Sequence, residues 1–90
     1  MVREYVLTCK KIEEASDKCK KGYIEAANED LLIVLDKVIN SRELLYRYQE
    51  KLKEIEAKII KTIEVENLEE KARGIEEIKV IYKKIFSELL

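Results

Sequence analysis

Apolar or small residues recur along the middle of the chain in alternating steps of three and four: Ile24, Ala27, Leu31, Val34, Val38, Ser41, Leu45, Tyr48, Leu52, Ile55 and Ile59. Only Ser41 interrupts the row with a polar group. A row of this spacing lays one helix along another. A second row, Val2, Tyr5, Cys9, Ile12, Ser16 and Cys19, has the same steps, is widened by Val6 and Ala15, and keeps its lysines on the opposite side. It predicts a first helix over residues 2–20. A third set, Leu68, Ala72, Ile75, Ile78, Ile81, Tyr82, Ile85, Phe86 and Leu89, predicts a last helix running to about Glu88.

The breaks between these rows have their own signals. Gly22 suits the position after a helix where a left-handed backbone stops it, and the apolar register steps by one from Tyr23 to Ile24. Asn67 is a good N-cap, with Glu70 three residues later as in a capping box. Gly74 then falls inside the last helix, where it costs up to about 1 kcal/mol relative to alanine unless a close approach by another backbone requires it. The rival placement ends a helix at Gly74, with a turn over residues 73–75. Asn40 and Ser41 could end one helix and cap the next. The row nevertheless keeps its phase from Val38 to Leu45, which favours one helix from Ile24 to about Ile63, roughly 60 Å long.

The expected fold is therefore all-α, a single antiparallel helical bundle over residues 1–90. It has three helices with a long central one over 24–63, or four if the chain breaks near 40–41. Four short helices can close as a monomer. The long-helix form leaves two open two-helix layers, so it predicts a homodimer. The run Leu31-Leu32-Ile33-Val34-Leu35 is apolar on every side of a helix and marks the centre of a core or an interface.

Composition narrows the chemistry. The chain has no proline, two glycines and 47% hydrophobic residues, enough for a core, although a chain of this size buries only about 60% of its unfolded surface. Its 18 basic and 19 acidic residues nearly cancel. No segment has the basic excess of a nucleic-acid or anionic-membrane binder, and no apolar run approaches a membrane span or a secretion signal. The expected compartment is cytoplasmic. The absence of histidine excludes Ser-His and Cys-His catalysis and His-ligated metals, and there is no glycine-rich phosphate loop. Cys9 and Cys19, roughly 15 Å apart on one helix, are beyond disulfide reach and read as small buried hydrophobes. The many carboxylates read as solvated faces paired with lysines at helical spacing. Arg42 and Arg47 are the residues an anion-binding or catalytic bundle would use.

No cofactor, metal or enzymatic activity is expected. The reading is a non-enzymatic interaction module, an export chaperone or adaptor that binds an amphipathic helix; the alternative is a purely structural homodimer. The candidate interface residues are Leu32, Leu35, Tyr46, Tyr48, Ile75, Ile78, Tyr82, Phe86 and Leu89.

The stretch Gly22-Tyr23-Ile24-Glu25-Ala26-Ala27-Asn28-Glu29 resembles the helix-hairpin turn of flagellar export chaperones, with Tyr23 where those proteins carry an acidic cap. Arg42-Glu43-Leu44-Leu45 is similar to an Arg-x-x-Leu-Leu-like element of the cap-protein chaperones, and the chain from Lys58 onward resembles the last helix pair of the flagellin chaperones. The resemblance covers about half of the chain. It implies a small all-helical protein that masks the aggregation-prone helix of a secreted subunit, with the apolar face of the last helix as the binding surface.

Overall fold

The first turn forms where the sequence places it. Gly22 adopts φ +84°, the only positive φ among the described residues. Its N–H donates to the Cys19 carbonyl (3.0 Å), and the Tyr23 N–H donates to the Lys18 carbonyl (2.9 Å). These are the paired bonds of a Schellman ending, which satisfy the last carbonyls of a helix. The computed structural model describes residues 2–89, leaving aside the side chains of Val2, Glu43, Leu44 and Leu89. It consists of α1 (Val2–Lys20), α2 (Ile24–Leu44), a short 3-10 turn (Tyr46–Tyr48), α3 (Gln49–Glu64) and α4 (Leu68–Leu89). Among the described residues there is no strand.

The four helices pack up-down-up-down. α1 lies against α2 and α4, and α3 lies against the same two helices. One core runs through them: Ile12, Ala15 and Cys19 from α1; Ala27, Leu31, Val34 and Val38 from α2; Leu52, Ile55 and Ile59 from α3; Ile75, Ile78, Tyr82, Ile85 and Phe86 from α4. The all-α bundle expected from the pattern is thus the observed fold, in its four-helix form.

The long central helix is not formed. The molecule measures 35 × 22 × 18 Å, too short for a straight run of roughly 60 Å. The break falls at Leu45–Tyr48 rather than at Asn40-Ser41, both of which lie inside α2. The Ser41 hydroxyl bonds back to the Lys37 carbonyl (2.8 Å) instead of capping a new helix. The apolar row passes through the reversal because the turn is one 3-10 turn, whose three-residue repeat keeps Leu45, Tyr48 and Leu52 in step. Leu45 and Leu52 are buried on opposite sides of it. With four helices closed on one core, the argument for dimerisation from two open layers loses its premise.

The last connection is capped as expected. Asn67 Oδ1 accepts from the Glu70 N–H (3.0 Å). Gly74 stays inside α4, and the reason is contact: a Cβ there would lie 2.6 Å from Thr62 Oγ1 on α3. The close neighbour is a threonine side chain rather than backbone. Gly74→Ala should therefore destabilise the protein by about 1–3 kcal/mol in urea unfolding, against its gain in helix propensity. Thr62→Ala should rescue much of that loss, so the two changes will cost less together than the sum of the singles.

Candidate functional site

The expected interface residues fall into two groups. Ile75, Ile78, Tyr82 and Phe86 are between 0 and 2% exposed. The face of α4 expected to receive a partner is turned inward and used by the chain's own helices. Tyr82 and Phe86 stack with Tyr5 of α1 at centroid separations of 5.8 and 4.9 Å, and their own rings lie tilted 4.7 Å apart, closing one end of the core. Burial pushes the Tyr82 phenol up to about 12, with the Thr8 hydroxyl opposing the shift. Tyr5 is raised by the same desolvation. Leu89 lies outside the described side chains, as does Val2 of the first row.

The other group remains at the surface. Leu32 is 54% and Tyr46 79% exposed. Leu35 and Tyr48 are half-buried against the core. The apolar run of α2 is therefore not covered all round: Leu31 and Val34 are buried, while Leu32 and Ile33 face out.

Leu32 and Leu35 belong to a second, shallower row. Asn28, Leu32, Leu35, Ile39 and Arg42 succeed one another in steps of four and three along one flank of α2. Both ends of that flank are tied toward α3. Arg42 Nη1 donates to both carboxylate oxygens of Glu56 (3.0 and 3.1 Å). Asn28 shares the Lys71 amine with the last turn of α3. The matching flank of α3 carries Lys53, Glu56, Ile60 and Ile63 at the same spacing. Ile39 and Ile60 are 42% and 48% exposed, and Ile63 packs partly against the core. The outer junction of α2 and α3 is thus an apolar strip, hidden in the sequence beside the stronger central row.

Two charged side chains are buried, Lys71, which the apolar pattern did not single out, and Asp30. Lys71 is fully buried. Its Nζ donates to Asn28 Oδ1 (2.7 Å) and to the carbonyls of Thr62 (2.9 Å) and Ile63 (3.0 Å). Three acceptors match the three donors of an ammonium group, and two are carbonyls in the last turn of α3, where a cation is favoured. Burial nevertheless lowers its pKa, with Cys19 opposing. Cys19 itself is buried as expected, donates to the Leu68 carbonyl (3.6 Å) and is raised by burial against the effect of Lys71. Asp30, expected on a solvated face, is buried between α1 and α2. Its Oδ2 lies 2.8 Å from Lys18 Nζ, which balances the charge although no hydrogen bond is aligned on that oxygen. Lys11 stands 3.8 Å from its other oxygen. The phase of each row could have flagged both: Lys71 is one turn before Ile75, and Asp30 adjoins Leu31 and Val34.

The remaining polar geometry joins helices. Lys58 pairs with Glu77 on α4 rather than with Glu54 on its own helix, and Lys79 pairs with Glu13 on α1. Arg42 is engaged by Glu56, and Arg47 is exposed in the 3-10 turn, so the two arginines do not converge. A cavity of about 570 Å³ opens where α2 and α4 end, over Leu45 and Phe86. Its rim groups satisfy one another: Lys37 meets Glu4 at 3.8 Å, and Asn40 donates to Asp36 at 3.5 Å. Among the described residues no group of three or more Cys, Asp or Glu could hold a metal ion, and no helix is long and apolar enough to cross a membrane. Comparison with known protein families, curated proteins and solved structures gives no match.

Lys71→Ala should cost about 2–4 kcal/mol of unfolding free energy, through the emptied volume and three oxygens left without a donor. The lowered pKa of Lys71 means that the unfolded chain holds this proton more tightly. Wild type should therefore gain stability relative to Lys71→Met as pH rises through the folded pKa toward 10.5. Tyr82 has the opposite sign: its contribution is complete below pH 10 and is lost as pH rises through about 12. Tyr82→Phe should accordingly flatten the alkaline decline in urea midpoint.

Proposed function

We propose that this chain is a non-enzymatic helical interaction module that docks an amphipathic helix of another protein on the α2–α3 strip. The observation that carries this reading is the pair of rows formed by Leu32, Leu35 and Ile39 on α2 and by Ile60 and Ile63 on α3. Apolar residues at helical spacing on two neighbouring helices offer a stripe along which the apolar face of a third helix can lie. The aromatic face of α4 is spent inside the bundle, so the receiving surface moves from α4 to this flank. Export chaperones and adaptors are modules of this kind. The turn at Gly22 that carries the resemblance is a general way to end a helix and does not itself select a secreted subunit.

The reading is tested with a synthetic amphipathic peptide of about 18 residues, roughly five helical turns, with one leucine stripe and neutral glutamine flanks. Methyl NMR shifts should move saturably at Leu32, Leu35, Ile39 and Ile60, and remain still at Val6 and Val80. Leu32→Gln with Ile60→Gln should abolish binding while changing stability by about 0.5 kcal/mol or less, since both sites are exposed. Shifts confined to other faces would overturn the reading. A sedimentation result showing a dimer closed through Leu32 and Ile60 would replace it with the structural homodimer.

A further inference from the structure

The α2 border of the strip has one sign of charge. Glu25, Glu29 and Asp36 stand seven and three residues before Leu32 and four residues after it, on the face of α2 just outside the apolar row. All three are exposed, and among the described residues none has an ion-pair partner. This contrasts with the helix junctions, where Glu13, Asp30, Glu56 and Glu77 each meet a base. Nor can α2 neutralise the border itself. Its only basic residues are Lys37 and Arg42, which are turned to Glu4 on α1 and Glu56 on α3. The α3 border is mixed, with Lys53 and Glu64 both beside Ile60.

Resting on the docking surface proposed above, we infer that its occupant is a cationic amphipathic helix, with lysine or arginine along the flank that lies over α2. Such a helix places its apolar stripe over Leu32, Leu35, Ile39 and Ile60 and its bases against Glu25, Glu29 and Asp36. A second copy of this chain is the poorer occupant. Apposing two α2 borders across a two-fold axis brings like charges together, which disfavours that pairing.

The experiment compares three peptides of about 18 residues with the same leucine stripe and with lysine, glutamine or glutamate flanks, using the full chain and isothermal titration. The lysine form should bind roughly tenfold tighter than the glutamine form, the scale of three exposed charge pairs, and the glutamate form weakest. The gap should close toward 1 M salt, where screening acts over about 3 Å. Glu25→Lys with Glu29→Lys and Asp36→Lys should invert the order, and circular dichroism melts of this variant should stay near wild type because all three positions are exposed. A lysine peptide with its leucines scattered should not bind. Equal affinity for the three flanks, or an order unchanged by the triple reversal, overturns the charge assignment while the docking face stands. If no striped peptide perturbs Leu32 and Ile60, the face and the assignment fall together.

Discussion

A lysine amine held inside the bundle by three oxygens is the constraint on which one end of this structure depends. Lys71 reaches from the first turns of α4 to the final carbonyls of α3 and to Asn28 near the start of α2. Removing a charge from water is costly unless every donor is matched, so the site tolerates little displacement of the three segments. Gly74 and Thr62 add a steric condition beside it. The absence of a side chain at Gly74 lets Thr62 sit against α4, and Thr62 supplies one of the carbonyls that hold Lys71. The α3–α4 hairpin is therefore set by a hydrogen-bonded cation and a close contact together. The opposite end is closed by stacked rings of Tyr5, Tyr82 and Phe86.

The electrostatics divide along the same lines. Charges at helix junctions are paired across helices, as in Arg42 with Glu56, Lys79 with Glu13 and Lys18 with Asp30. The more exposed of these pairs, such as Lys79 with Glu13, contribute little stability individually, but they oppose sliding of one helix past its neighbour. On the outer side of α2 the pairing stops, and unpaired acids run beside apolar side chains that water still reaches. A surface that keeps both apolar area and charge of one sign is suited to a partner whose own face supplies the complement.

Much of the fold was legible in local signals. The helix over residues 2–20, the Schellman turn at Gly22, the cap at Asn67 and the continuation of α4 through Gly74 each follow from a residue whose chemistry acts within a few positions. The break at Leu45–Tyr48 was not legible because no glycine, proline or capping side chain marks it, and one 3-10 turn preserves the apolar phase. For the candidate site, the run from Leu31 to Leu35 read as a segment to be covered on every side, and the structure leaves Leu32 exposed and Leu35 half-buried. Ile75, Ile78, Tyr82 and Phe86 were not surface residues at all. An apolar row shows that a face must be covered, but not whether the chain's own helices or a partner covers it.

By itself, the sequence determined that this protein is all-helical, where three of its four helices begin, and that its chemistry excludes histidine and a phosphate loop. These follow from periodicity, capping and composition, which are local quantities. The tertiary structure alone decided that the central row folds back on itself, that Lys71 and Asp30 are enclosed, and which apolar row is left outside. Those outcomes depend on which helix lies beside which. Closing four helices on one core buries Leu45 and Leu52 together, and that gain, shared among residues far apart in the chain, outweighs the preference of any single stretch to remain one helix.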